Sequence, residues 1–289
     1  MQDNAAYREY KNVAKAVIGK YCCEKKADCR VLYKIIKKDF SIIEKAFRTA
    51  QKLEKTNLSL SQAFEWIADN YYMIDAKKNQ CLKGLKSLDG INCTRVNYKS
   101  RSFYLLPLYF VSFKDYLELC DVTLNENILD AFISAVNRKD RERPCFSDFY
   151  SFELLFLCVA VSLISDLCNK LLENPYASNL KLSDMLGKYI SSLRFISSYN
   201  FEKSFENCET EEYLRRDPSG FYSHMSKETK NLYRSRISYL SGKSGISEVD
   251  FAKEILEKAK NGDNEHSRHI GYYLYPYPKK MYGIIYFCA

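Results

Sequence analysis

Glycine and proline are scarce in this chain, ten and six among 289 residues. A sheet-rich fold needs turn residues at close intervals, so the scarcity favours helices joined by short connections. Histidine occurs three times and tryptophan once. No C-x-x-C pair, H-E-x-x-H, G-x-S-x-G or G-x-G-x-x-G is present, which excludes the usual signatures of zinc modules, zinc proteases, α/β-hydrolases and dinucleotide binders. Gly242-Lys243-Ser244 imitates the end of a phosphate-binding loop, but the earlier glycine would fall at Ile237, so Gly242 reads as a helix stop. The opening residues, MQDNAAYREYKN, lack an apolar core behind a basic start, and no secretory leader is expected in them.

What is present suits a folded chain: 46% hydrophobic and 15% aromatic residues, against a formal charge of +8. The basic residues are spread out, apart from short groups such as Arg138, Lys139, Arg141 and Arg143. Such an excess suits an anionic membrane surface as well as nucleic acid, and no nucleic-acid recognition motif accompanies it. The eleven cysteines are odd in number and scattered through apolar helical patterns (Cys81, Cys158, Cys168), as expected of reduced buried thiols in a cytosolic protein. His266 and His269 have no cysteine pair close in sequence to complete a zinc site, so no metal, cofactor or catalytic residue is assigned.

The apolar spacing predicts an all-α, mostly antiparallel multi-helix bundle. Helices are expected over residues 5–23 and 31–55, the latter with a stripe of Ile35, Phe40, Ile43, Ala46, Phe47 and Ala50. Ser59 and Gln62 have capping-box spacing and open a helix carrying Phe64, Ile67, Tyr71, Ile74, Cys81, Leu82 and Leu85 on one face. Residues 90–107 read as an irregular basic connection, with a helix starting close to Pro107. Helices follow over 108–120, 125–136, 152–172 and 178–197, with a loop over 137–143. The unbroken apolar run Leu154 to Val161 is too soon interrupted by Asp166 and Lys170 for a span of about 20 residues. It reads as the central helix of a soluble bundle.

Nearer the C-terminus, a short helix is expected near 211–216. Ser226 caps a helix with an inner face of Leu232, Tyr233, Ile237 and Leu240, ended by Gly242. Ser247, with Asp250 at the capping-box position, opens another, whose stripe is Val249, Ala252, Ile255, Leu256 and Ala259. Asp217 and Pro218 suit a helix start, with the carboxylate as cap. Tyr272, Tyr273, Tyr275 and Tyr277 crowd the approach to Lys279 and Lys280, after which the chain turns apolar through residue 289. Packing, a membrane interface and stacking on sugar are three readings of these rings.

Four blocks carry a resemblance. FEWIADNYYMID, residues 64–75, has the form W-x-x-D-N-Y-x-x-I through Trp66, Asp69, Asn70, Tyr71 and Ile74. Residues 192–197 and 212–218 (SLRFIS, EYLRRDP) lead to D-P-x-x-x-Y-x-x-M-x-x-x-T-x-x-x-Y-R, filled by Asp217, Pro218, Tyr222, Met225, Thr229, Tyr233 and Arg234. The last block, R-H-x-G-Y-Y-L, is filled by Arg268, His269, Gly271, Tyr272, Tyr273 and Leu274. In this order the blocks resemble the helical region that precedes the membrane spans of bacterial cyclic β-1,2-glucan synthases, over about three quarters of the chain. The resemblance does not place the residues before about Ser59, and residues 92–119 depart from it.

The resemblance implies a domain order. Residues 1–58 would be N-terminal helices, 59–262 a bundle resembling the family's N-terminal region, and 263–289 a tyrosine-rich juxtamembrane tail cut at the start of a transmembrane helix. It also implies a non-catalytic accessory or scaffold region of an enzyme that uses UDP-glucose, on the cytoplasmic face of the inner membrane. Its partners would be the downstream glycosyltransferase and membrane domains, the inner-membrane surface and, as a further candidate, β-1,2-glucan. The D-x-D motif with which such transferases commonly hold a divalent ion on the diphosphate is absent. Asp69 and Asn70 read as braces for a neighbouring helix rather than as sugar ligands. The alternative is a free-standing helical module that binds protein or nucleic acid.

Overall fold

Apolar residues at helical spacing, rather than turn chemistry, organise this chain. The structure, a computed structural model, describes residues 5–21, 29–56, 61–87, 95–98, 101–121, 123–136, 145–175, 180–201, 206 and 208–275. Among them are thirteen α-helices and one two-stranded hairpin, so the protein is an all-α helical bundle in class. Ser59, the loop over 137–143, and Tyr277, Lys279, Lys280 and the apolar run after them lie outside the described residues. The chain divides into two compact units: residues 1–90, 95–140 and 151–200 form one, and residues 91–94, 141–150 and 201–289 the other.

The first unit holds α1 (Ala5–Tyr21), α2 (Cys29–Lys55), α3 (Gln62–Ala76), α4 (Lys78–Ser87), α5 (Leu105–Cys120), α6 (Glu126–Val136), most of α7 (Phe146–Glu173) and α8 (Leu180–Ser198). Helix α1 packs on α5 and α6, α2 on α3 and α4, and α3 on α8. Residues on both sides of position 58 therefore share one unit. Phe113, Phe132 and Phe156 meet at its centre, with ring centroids 4.2–6.0 Å apart. Fully burying each such ring contributes about 1.5–3 kcal/mol. Tyr116 joins them and donates its hydroxyl to the Ile128 carbonyl at 2.9 Å, so its polar end is not orphaned. Ser151–Glu173 of α7 is long and apolar enough to cross a membrane, yet most of it is buried among the protein's own side chains.

Several expectations are corrected. The helix expected to run from 59 to 85 is two, α3 and α4, because the Lys77 N–H turns to the Ile74 carbonyl at 3.0 Å and tightens the winding there. Ser61, not Ser59, is the N-cap residue of α3, and it makes no side-chain cap bond. The irregular connection over 90–107 contains an antiparallel hairpin, β1 (Arg95–Tyr98) on β2 (Arg101–Tyr104), with Val96 and Phe103 paired in the backbone register. On α2, Ile35 is exposed and Ile36 takes its place in the core, one position around the helix.

The second unit holds α9 (Glu209–Leu214), α10 (Phe221–His224), α11 (Lys227–Ser244), α12 (Glu248–Lys260) and α13 (Gly271–Leu274). Helix α12 packs on α9, α11 and α13, and α11 on α13. Ser226 caps α11 by accepting the Thr229 N–H at 3.3 Å. Ser247 caps α12 by accepting the Asp250 N–H at 3.0 Å, while its own hydroxyl donates to the Asp250 carboxylate at 2.7 Å. Gly242 does not stop α11. The helix passes through it to Ser244, and Gly245 ends it with φ 70°, a left-handed backbone that a side chain would strain.

Candidate functional site

The buried face of α11 is Arg234, Ile237 and Ser241, not the expected apolar row. Leu232 points outward, because a charged residue takes the inner position. Arg234 meets Glu211 of α9 in a two-pronged contact, Nε to Oε2 at 3.0 Å and Nη2 to Oε1 at 2.9 Å. Both side chains are almost wholly buried, so the pair is not a weak surface contact. Tyr222 donates its hydroxyl to Glu211 Oε2 at 2.8 Å, and Arg234 Nη1 donates to the Asn231 side chain at 2.9 Å. Burial alone would push the guanidinium pKa down; the Glu211 carboxylate outweighs it and raises it. Burial, then the charge of Glu211, pushes the Tyr222 phenol well up, so it stays a donor.

A second cluster sits on Asp217. Its Oδ1 accepts the Ile270 N–H at 3.1 Å, and its Oδ2 accepts the Tyr222 N–H at 3.3 Å and the Ser219 hydroxyl at 2.5 Å. The same Oδ2 lies 2.8 Å from His269 Nδ1. With that nitrogen donating to Asp217, Nε2 is left as the acceptor for the Tyr233 hydroxyl at 2.8 Å. Asp217 therefore serves two backbone segments at once, rather than only capping the helix after it. Pro218 stands outside α10, whose N-cap is Gly220 with φ 73°. Gly271 is required beside the imidazole, since a Cβ there would collide with the Tyr233 hydroxyl and the His269 ring.

Serine, histidine and aspartate are thus in contact, but in the wrong order for nucleophilic catalysis. The Ser219 oxygen lies 3.0 Å from His269 Nδ1, the nitrogen already held by Asp217. The nitrogen that would act as base, Nε2, faces a phenol instead. Burial pushes the Tyr233 pKa well up, and nearby Tyr275 and Asp217 add to it, so this hydroxyl stays protonated and donates to the imidazole. The arrangement locks the entry to α10, the face of α11 and the start of α13 to one another.

Met225 ends α10, its N–H on the Tyr222 carbonyl at 3.3 Å, and Thr229 lies in the first turn of α11 under the Ser226 cap. Tyr273 donates to the Lys258 carbonyl at 3.0 Å, and Tyr272 is partly exposed against the Tyr273 ring. In the first unit, Asn70 is buried, donating to the Trp66 carbonyl at 2.8 Å and accepting from Arg194 of α8. It braces α3 to α8, whereas Asp69 is exposed. The Trp66 ring lies against Gly187, where a Cβ would come within 3.1 Å of it. Tyr71 stacks on Phe47 of α2, centroids 4.0 Å apart and planes 4° from parallel.

Sequence reasoning passed over two residues, Glu211 and Glu248. Glu248 of α12 is buried and accepts the Phe146 N–H at 2.6 Å, placing a carboxylate on the first turn of α7. Each lies in a run with Glu209 and Glu212, or Asp250, from which nothing local distinguishes it. Among the described residues, no group of three or more His, Cys, Asp or Glu stands together to hold a metal ion. No family model, no curated protein and no solved structure matches the chain.

Proposed function

We propose that this chain is a non-catalytic accessory or scaffold region of a cyclic β-1,2-glucan synthase-like membrane glycosyltransferase, in which the parent protein makes glucan from UDP-glucose. One observation carries the reading. Asp217, Tyr222, Tyr233, Arg234, His269 and Gly271, residues from separate blocks of the resemblance, converge on a single framework in which they hold helices to one another. Motif residues that fix architecture suit a region whose task is to position a neighbouring catalytic domain. The partners are then the glycosyltransferase and membrane domains of the same polypeptide, beside the cytoplasmic face of the inner membrane.

Two measurements test it. The genomic reading frame beyond codon 289 is expected to run into about 20 apolar residues and then a D-x-D-bearing domain. The purified chain, incubated with UDP-glucose and a divalent cation, is expected to release neither UDP nor glucan. Turnover of either kind, or a stop codon directly after Ala289, overturns the proposal.

A further inference from the structure

Helix α11 buries Arg234, Ile237 and Ser241, and its opposite side is unusual for a solvent-facing surface. Leu232, Arg236, Tyr239 and Lys243 follow at intervals of four, three and four residues, one stripe along the helix. Leu232 is 63% exposed and Tyr239 58% exposed. Arg236 lies over two rings, 5.3 Å from the centroid of Tyr239 and 5.6 Å from that of Tyr275. Its Nε donates to the Leu274 carbonyl at 3.0 Å, and the Tyr275 hydroxyl donates to the Leu232 carbonyl at 3.2 Å. The end of α13 is thereby fastened along the stripe, with Tyr275 still 40% exposed. We propose that this stripe, Leu232, Arg236, Tyr239 and Lys243 with Tyr275, is a docking surface for an anionic lipid bilayer. The proposal deepens the accessory-region reading and rests on it for the presence of a membrane.

Chemistry selects the occupant. Tyrosine presents an apolar ring and a wet hydroxyl, which suits the headgroup level, and an aliphatic residue beside it adds burial in the acyl boundary. Helix α11 carries Lys227, Lys230, Arg234, Arg236 and Lys243 against the single acid Glu228, one turn before Leu232. With Arg234 neutralised inside by Glu211, the exposed charge is complementary to anionic headgroups. Beyond Tyr275 the sequence continues to Lys279 and Lys280 and then to an apolar run, the same order of basic and apolar character. The Arg236 guanidinium already lies over the rings of Tyr239 and Tyr275, which leaves a stacking sugar at most one face of each.

The test is sedimentation of the full chain with vesicles of phosphatidylglycerol and phosphatidylethanolamine, and with vesicles of phosphatidylcholine alone. Binding is expected to the anionic vesicles, and to weaken as salt rises. The variant Leu232→Ser/Tyr239→Ser alters two exposed side chains, so its thermal melt stays that of the parent while its bound-to-free ratio falls about tenfold. Lys243→Gln lowers binding to the anionic vesicles about fivefold and leaves the neutral ones unchanged. A second variant, Ile284→Asp/Ile285→Asp, separates the stripe from the apolar run. Equal binding to both vesicle types, parental binding by Leu232→Ser/Tyr239→Ser, or release of the chain by soluble β-1,2-glucan overturns the proposal. Failure here leaves the reading-frame test of the accessory role intact, and a stop codon after Ala289 with stripe-dependent binding removes that role without removing the surface.

Discussion

Asp217 and His269 stand 52 residues apart in sequence and are joined by a 2.8 Å contact, Oδ2 to Nδ1, with the carboxylate fully buried. Burial by itself pushes the Asp217 pKa up. Hydrogen bonds from His269 and Ser219 outweigh it, and the carboxyl is held below its ordinary range. A depressed pKa in the fold gives stability that is present above the unfolded value, about 4, and is lost as pH falls below it. Asp217→Asn is expected to cost about 1–3 kcal/mol at pH 7 and to flatten the acid limb of the stability profile. Urea unfolding from pH 7 to pH 3 measures both, and an unchanged midpoint at pH 7 would sink the assignment.

Glu211 and Arg234 form a buried pair, so removing one partner strands the other. Glu211→Leu is expected to cost about 3–5 kcal/mol, far more than an exposed ion pair is worth. Tyr222→Phe, which deletes only the third contact on the same carboxylate, is expected to cost about 1 kcal/mol. The double variant Glu211→Leu/Arg234→Met leaves no unpaired charge and recovers part of the loss. Denaturation of the parent, Glu211→Leu, Arg234→Met and the double variant gives the coupling directly, and purely additive losses would show that the two residues act independently.

Much of the fold was legible in the sequence because apolar residues recur at helical spacing, as along α6, α7 and α8. The caps at Ser226 and Ser247 were legible because a hydroxyl and a residue three positions on are a local device. The face of α11 was not. Leu232 and Tyr233 suggested an apolar inner side, but Glu211, far away in sequence, draws Arg234 inward and turns Leu232 out. The stop at Gly242 failed for a similar reason, since Gly245 also follows and only backbone conformation decides between them. The residues of the Asp217 cluster were visible as motif positions. Their meeting was not, because no local spacing links Asp217 to His269.

The buried thiols give an independent check on the core. Burial pushes the Cys158 and Cys168 pKa values far up, and that of Cys208 to about 12. A thiol both shielded and protonated reacts only when the fold opens. Iodoacetamide labelling at pH 8, read peptide by peptide, is expected to leave these three at least about a hundredfold slower than in urea. Rapid native labelling of Cys158 would place α7 outside the core described for it.

Asp39 of α2 is a buried charge left incompletely satisfied, since its Oδ2 has no hydrogen-bond partner. Burial pushes its pKa to about 6, with the Ser165 and Ser162 hydroxyls and Lys114 opposing and Asp166 assisting the rise. Lys114 is itself engaged, at 2.9 Å from Ser162 and 2.6 Å from Asp166, so it does not fully compensate the carboxylate. A carboxyl raised in the fold binds a proton that the unfolded chain has released, so this group lowers stability as pH rises from about 4 to 6, and the loss persists above. Asp39→Asn is therefore expected to stabilise the protein by about 2 kcal/mol at pH 7.5 and by little at pH 4.5. Paired urea titrations at the two pH values read the difference between variant and parent. A destabilised variant at pH 7.5 would mean that the Asp39 charge is held by Lys114 after all, and that the carboxylate supports the packing of α2, α5 and α7.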